Sequence, residues 1–241
     1  MLVHYRGGVS IFFITGPEGS GTTALVRALT NHPGVVKGDA ARYGHPTFRA
    51  DAGAQLISVA LMSAPRAGIF DLTDRAEARR QLEDNAAALF AAQPGTRAIF
   101  FKYSTPASRP KLWPVFLPLF EIPEFRVVVI WRRPLDSIYS AFRRFYRDQG
   151  HDARGFVAAV RAYTQGVRHI RWQLGRSPRD RSLCLRYETL VTRPEATLRG
   201  LCAFASLDYR PAEQLLPGTG FSNENGKWKQ ALRRTLASGR A

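Results

Sequence analysis

The chain has 241 residues, of which 45% are hydrophobic and 11% aromatic, a composition that supports a folded core and excludes an intrinsically disordered protein. Lys and Arg total 35 against 19 Asp and Glu, and the net charge of +16 favours an anionic partner unless it only reflects a GC-rich genome that favours arginine. Cys184 and Cys202 fit neither a metal site nor a disulfide framework and are expected to be buried thiols of a cytoplasmic protein without an integral membrane segment.

The first predicted elements are a short strand at residues 11–14 and an amphipathic helix at 22–31, joined by the glycine-rich segment 16–23. A strand, a glycine turn and a helix in this order cradle phosphate, because backbone N–H groups and the positive end of the helix meet the anion. The Walker A pattern GxxxxGK[ST] fits at every fixed position except one, where Thr22 replaces the lysine. The loop is therefore predicted to bind a phosphate, though not the γ-phosphate of a nucleoside triphosphate.

Strands and helices alternate along the rest of the chain. Apolar runs at 35–36, 98–101, 127–131 and 183–185 predict strands, and helical patterns cover 52–62, 74–92, 135–147, 155–174 and 195–204. This alternation predicts an α/β fold of the P-loop type, with a doubly wound, mainly parallel sheet flanked by helices in a single domain over residues 1–241. Ligands of such sheets bind at the carboxyl ends of the strands, so functional residues are sought there.

A second candidate anion site follows the predicted strand at 127–131. Arg132 and Arg133 directly follow that strand, Pro134 can begin a helix, and Ser140 lies on the helix that follows. Arginine and serine together can hold a phosphate through charge-assisted hydrogen bonds. The alternative is that both arginines only solvate the end of the strand.

Together these segments resemble the sulfotransferases that use 3′-phosphoadenosine 5′-phosphosulfate (PAPS). That family has a P-[KR]-S-G-T-T loop, then V-x-R-[ND]-P-x-D-x-x-x-S, which matches Arg132, Pro134, Asp136 and Ser140, with Arg133 in the Asn/Asp position. The stretch LRYETL at 185–190 is similar to the family's R-Y-E-D-L element, and GKWK at 226–229 to its late G-x-W-K element. The matches come in the expected order and cover most of the chain.

The resemblance implies a PAPS site with no metal, and it implies PAP, the 3′,5′-bisphosphate, as the product. The loop would contact the 5′-phosphate, Arg132 and Ser140 would hold the 3′-phosphate, and a C-terminal loop around 217–230 would close over the nucleotide. Tyr187 would lie near the adenine or ribose, unless it only packs at a strand end. The implied binding residues are Gly19, Ser20, Gly21, Thr22, Thr23, Arg132, Ser140, Tyr187, Lys227 and Trp228.

The resemblance assigns the catalytic residues less completely than the binding residues. The family usually has a lysine or arginine where this chain has Gly19, so the cation for the bridging oxygen must come from elsewhere. Lys102, which ends the apolar run 98–101, is the candidate, and Arg27 or Lys227 are alternatives. Asp39 and His45 are equal candidates for the general base that takes the proton from the acceptor hydroxyl.

The predicted function is therefore transfer of a sulfuryl group from PAPS to a hydroxyl or amine of a small-molecule or glycan acceptor. The basic surplus suits an acidic sugar or glycan, whereas scattered aromatic residues would suit a phenol or lipid. The alternatives are a P-loop small-molecule or nucleotide kinase and a non-catalytic nucleotide-binding relative. Nucleic acid is not expected as a partner, because no recognised nucleic-acid-binding module is present.

Overall fold

The computed structural model describes residues 10–36, 48–49, 90–91, 93–104, 125–143 and 153–215. Five parallel strands form one sheet in the order β2-β3-β1-β4-β5. The strands are β1 Ser10–Gly16, β2 Phe48–Arg49, β3 Ala98–Ser104, β4 Phe125–Trp131 and β5 Ser182–Arg186. All seven residues of the central strand β1 are buried, which explains its apolar run at residues 11–14.

Six helices are described, together with a short 3₁₀ turn at Arg179–Arg181. Prolines occupy the first position of two of them, where the missing N–H leaves no hydrogen bond unmade. The helices are α1 Thr22–Thr30, α2 Pro134–Ala141, α3 Ala153–Leu174, α4 Tyr187–Thr192, α5 Pro194–Phe204 and α6 Ala212–Leu215. None of the helices described is long and apolar enough to cross a membrane.

Helices cover both faces of the sheet. Phe12 and Ile14 of β1 belong to a core cluster with Leu25 of α1, Leu201 of α5 and Leu215 of α6. On the other face, α3 contacts β1 and α2, and the Phe156 ring in α3 makes an edge-to-face contact with the Phe142 ring just after α2. These two layers of helices on a parallel sheet confirm the predicted α/β fold.

The prediction of a strand at residues 35–36 was wrong. Val35 makes a single bridge to Ala98, the first residue of β3, and the strand that extends the sheet beyond β3 is instead Phe48–Arg49. An apolar pair is long enough for one bridge only. Of the other predictions, the helix at 52–62 lies outside the described residues, and that at 74–92 is described only at residues 90–91.

The two cysteines differ in exposure. Cys202 lies in the core cluster, as predicted, and burial raises the pKa of its thiol. Cys184 was predicted to be buried, but it is exposed. The reason is the period-2 alternation of the edge strand β5, in which Leu183 and Leu185 pack against the core cluster and Cys184 points to the opposite face.

Candidate functional site

Three connections meet at the carboxyl edge of the sheet. They follow β1, β4 and β5, whose parallel register pairs Thr15 with Val129 and Trp131 with Arg186. Because parallel strands end on the same side, the segments 17–21, 132–133 and 187–188 become neighbours although they are far apart in the chain.

Several hydrogen-bond donors of the loop after β1 have no acceptor among the described residues. The Ser20 hydroxyl is fully buried and, within the described part of the chain, has no hydrogen-bond partner. The backbone N–H groups of Gly19, Gly21 and Thr22 likewise donate to no acceptor among the described residues. The first turn of α1 also contains no acidic residue that would offset the positive end of the helix. This set of donors fits a phosphate group.

Gly19 has no room for a side chain. Its φ of +77° lies in the left-handed region, and a Cβ atom there would stand 2.2 Å from the Ser137 carbonyl oxygen and 3.0 Å from the Ser140 Cβ. The loop therefore rests directly on the first turns of α2. In this conformation a lysine or arginine, which the resembling family usually has here, would collide with the backbone of α2.

Arg132 places a permanent positive charge beside the loop. Its guanidinium donates to the Gly19 carbonyl oxygen at 3.2 Å, and its Cζ lies 4.4 Å from the centroid of the Tyr187 ring. Stacking on an aromatic ring fixes the guanidinium plane and leaves donors at its edge for an anion.

Tyr187 and Glu188 connect β5 to the other two segments. The Tyr187 ring lies against the loop, since a Cβ on Gly21, whose φ is +102°, would be 2.4 Å from its Cδ2. The Glu188 Oε1 accepts a hydrogen bond from the Arg133 backbone N–H at 2.8 Å. The first turn of α4 thus holds both the phosphate loop and the turn that carries Arg132.

The start of α2 is fixed to the loop by a further bond. The Ser137 hydroxyl, fully buried, donates to the Glu18 carbonyl oxygen at 2.7 Å. Asp136 lies in the first turn of α2, as predicted, and is buried. Ser140, one turn after Ser137, therefore lies against Gly19.

The structure brings together one group of the predicted site residues. Lys102 is placed differently from the prediction, because β3 continues to Ser104 and pairs Lys102 with Ile14, two residues before the end of both strands. Asp39, His45, Lys227 and Trp228 lie outside the described residues. The residues found at the same edge are Gly19, Ser20, Gly21, Thr22, Thr23, Arg132, Ser140 and Tyr187.

Two residues that hold the segments of this site together have no role assigned from the sequence. Ser137 shares a helix face with Ser140, and Glu188 follows Tyr187 in the first turn of α4. Their partners, Glu18 and Arg133, are 119 and 55 residues away in the chain, so local patterns carry no signal for these bonds. Within the described ranges no group of three His, Cys, Asp or Glu residues is arranged to hold a metal ion.

A family model and several solved structures match this chain. A sequence model of the sulfotransferase family matches residues 12–211. The fold is similar to the sulfotransferase domain from the curacin biosynthetic pathway, with a TM-score of 0.57 and 19% identity over 88% of this chain and 78% of that one. A sulfotransferase from Alicyclobacillus acidocaldarius has a TM-score of 0.53 and 19% identity over 94% of this chain and 91% of its own. The sulfotransferase domain of the Synechococcus PCC 7002 olefin synthase has a TM-score of 0.55 and 21% identity over 91% of this chain and 80% of that one.

A search of curated proteins found no match to this chain. The similar structures are below 25% identical and establish the fold alone. The family model carries the assignment, because it begins within β1 and ends just before α6, so that it includes every segment that meets at the carboxyl edge of the sheet. The chain therefore belongs to the sulfotransferase family and is a sulfuryl-transferring enzyme.

Proposed function

We propose that this enzyme takes its sulfuryl group from PAPS and transfers it to a hydroxyl or amine of a small-molecule or glycan acceptor. The observation that carries the choice of donor is the loop after β1, where the buried Ser20 hydroxyl and three N–H groups have no acceptor among the described residues. Arg132 lies directly beside them. A ligand with phosphates at two positions would use both groups of donors.

In this proposal the loop residues 19–23 bind the 5′-phosphate. Arg132 and Ser140 bind the 3′-phosphate, which is supported by the contact of both residues with Gly19. Tyr187 borders the nucleotide while it packs on Gly21. Lys227 and Trp228 are proposed, from the family resemblance, to close over the nucleotide from the loop around 217–230.

PAPS supplies an activated sulfuryl group, and the residues of this chain position it and manage charge and protons. Donors that are already oriented stabilise charge on the leaving phosphate without reorganisation. We propose Lys102, which lies in β3 beside the central strand and two residues before the carboxyl end, as the cation for the bridging oxygen, because Gly19 cannot supply one. Asp39 or His45 is proposed to accept the proton of the acceptor hydroxyl.

The lack of room for a cation at Gly19 is the observation behind the alternative of a relative that binds the nucleotide without transferring the sulfuryl group, and the family assignment outweighs it. A kinase is less well supported, because the buried Thr22 stands in the Walker lysine position. A cytoplasmic location is also proposed, since the exposed free thiol of Cys184 suits a reducing compartment.

The test is transfer of radiolabelled sulfate from PAPS to a panel of acidic glycans, neutral sugars, phenols and amines. We expect time-dependent label in at least one hydroxyl or amine acceptor, and loss of that transfer in Lys102→Ala. PAPS binding without transfer to any acceptor would favour the non-catalytic relative. Transfer of phosphate from ATP with no sulfate transfer would favour the kinase.

Ser20→Ala is expected to stabilise the free enzyme and to weaken its binding of PAP. Removing a buried hydroxyl without a partner should raise the free energy of unfolding by up to about 1 kcal/mol. The same change should lower PAP affinity about tenfold, because a hydrogen bond to a charged group is lost. Ser182→Ala is the matched control, since its buried hydroxyl also lacks a partner among described residues but lies at the opposite edge of the sheet. Equal PAP affinity in both variants would argue against a ligand role for Ser20.

Glu188 acts as a positioning residue for the turn that carries Arg132. Glu188→Ala should lower PAP affinity about fivefold, whereas Glu188→Gln, which keeps an acceptor for the Arg133 N–H, should stay near wild type. Titration of Tyr163 gives an independent readout. Burial raises the pKa of Tyr163, the charge of Arg171 lowers it, and that of Glu188 raises it further. Both variants should therefore lower this pKa, while only Glu188→Ala weakens PAP binding.

A further inference from the structure

The pairing between β1 and β4 ends earlier than the pairing of each strand with its outer neighbour. β1 and β4 pair as far as Thr15 and Val129, whereas β3 follows β1 to Gly16 and β5 follows β4 to Trp131. β1 leads into α1 on one face of the sheet, and β4 leads into α2 on the other. Between two such strands a crevice opens at the carboxyl edge, where ligands of parallel sheets bind. This crevice lies between the phosphate loop and Arg132.

Gly16, the last residue of β1, borders this crevice and is buried. A Cβ atom on Gly16 would stand 2.3 Å from the Ile130 carbonyl oxygen of β4 and 2.4 Å from the Ser20 hydroxyl oxygen. Ser20 reaches this place because its backbone N–H donates to the Pro17 carbonyl oxygen at 3.0 Å and closes a turn directly after β1. Since Gly16 has no side chain, the end of β4 and the loop both pack directly against the end of β1.

The two close approaches to Gly16 connect the two groups of donors that are proposed to bind the nucleotide. Ser20 belongs to the group for the 5′-phosphate, and Ile130 lies two residues before Arg132, which belongs to the group for the 3′-phosphate. Ordinary contact with a Cβ begins at 3.4 Å, so a side chain on Gly16 would move each neighbour outward by about 1 Å. The separation between the two groups would then increase.

We propose that Gly16 is a positioning residue that fixes the separation between the two phosphate groups of donors and thereby selects a nucleoside 3′,5′-bisphosphate. The inference rests on the proposed function, because these donors are the ones assigned there to PAPS. A ligand with both phosphates gains from the second one only when the spacing of the donors matches its own. A ligand with a single phosphate does not sense this spacing.

The first part of the experiment uses the wild-type protein and calorimetric titration with two isomers of equal charge, PAP and adenosine 2′,5′-bisphosphate. We expect PAP to bind at least about tenfold more tightly, because a fixed separation fits one isomer only. Affinities within about twofold of each other would show that the separation is not fixed and would overturn the proposal without any variant.

The second part compares PAP with adenosine 5′-monophosphate (AMP) in three variants. The wild type should prefer PAP about 100-fold, and Gly16→Ala should reduce this preference to less than about tenfold. Ser20→Ala should weaken both ligands to a similar degree and keep the preference. Gly34→Ala is the steric control, since its Cβ would stand 2.9 Å from the Leu207 Cδ2 but Gly34 lies beside Ala98, at the amino end of β3. It should lower the free energy of unfolding and keep the preference for PAP.

Two further results would overturn the proposal. One is that Gly16→Ala changes the affinities for AMP and PAP by the same factor or leaves both unchanged, and the other is that Gly34→Ala reduces the preference as strongly. If Gly16→Ala does not fold, the comparison of the two isomers in the wild type decides. Failure of the proposed function has a different signature, because the wild-type protein would then not bind PAP at all. Binding of PAP with an unchanged preference in Gly16→Ala overturns only the role of Gly16.

Discussion

Replacing Gly19 by alanine is expected to lower PAP affinity about 100-fold and the free energy of unfolding by about 3 kcal/mol. The added Cβ would stand 2.2 Å from the Ser137 carbonyl oxygen, so α2 and the loop would have to move apart. That movement breaks the bonds from Arg132 to Gly19 and from Ser137 to Glu18. Calorimetric titration with PAP and chemical denaturation measure the two effects.

Gly95→Ala is the matched control for this variant. Gly95 has a φ of +85°, close to that of Gly19, but no atom lies within 4 Å of the place of its Cβ. Gly95→Ala should therefore lower the free energy of unfolding by only about 1 kcal/mol, through backbone strain, and leave PAP affinity unchanged. Similar effects of the two substitutions would show that the loop does not depend on its contact with α2. Gly19→Lys, which supplies the cation usual in the family, is expected to fail in the same way as Gly19→Ala.

The second large effect is expected for Arg132→Ala, which should weaken PAP binding about 100-fold and adenosine 5′-phosphosulfate binding less than about fivefold. The difference arises because only PAP carries the 3′-phosphate that the guanidinium is proposed to bind. Arg132 is held for this task by the Gly19 carbonyl oxygen and the Tyr187 ring.

Arg133→Ala separates this role from general loss of positive charge. The Arg133 side chain is exposed, and the described bond from this residue to Glu188 uses its backbone N–H, which alanine retains. We expect near wild-type affinity for both nucleotides. If Arg132→Ala and Arg133→Ala weakened the binding of PAP and of adenosine 5′-phosphosulfate to the same degree, the two arginines would contribute only a general positive charge. That result would support the alternative in which they solvate the end of the strand.

The sequence predicts the central strands well because each contains a continuous apolar run. These runs lie at residues 11–14 of β1, 98–101 of β3 and 127–131 of β4, and each strand has seven residues. β2 has only two residues, too few for any periodic signal, so the prediction fell on the apolar pair at 35–36. Cys184 shows a related limit, since an apolar triplet in an edge strand does not reveal that one face is open.

The residues of the candidate site likewise include some that a local sequence pattern predicts and some that it does not. The donors of the loop and Arg132 are predicted because they directly follow strands, and strand ends are recognisable in the sequence. The contacts of Tyr187 with Gly21 and of Glu188 with Arg133 depend on three parallel strands ending side by side, which no local pattern encodes. Likewise, the motif alone does not explain why Gly19 replaces the usual lysine or arginine. The reason lies in its φ and in the position of the Ser137 carbonyl oxygen, which leave no room for a side chain.

The most direct test of the account is calorimetric titration of the wild-type protein with PAP and, separately, with ATP plus Mg²⁺. A site built for two separate phosphates should bind PAP at least about 100-fold more tightly than ATP, because the Arg132 and Ser140 contacts are added to those of the loop. Tight binding of ATP with Mg²⁺, together with no binding of PAP, would contradict the assignment of a PAPS site to this edge of the sheet.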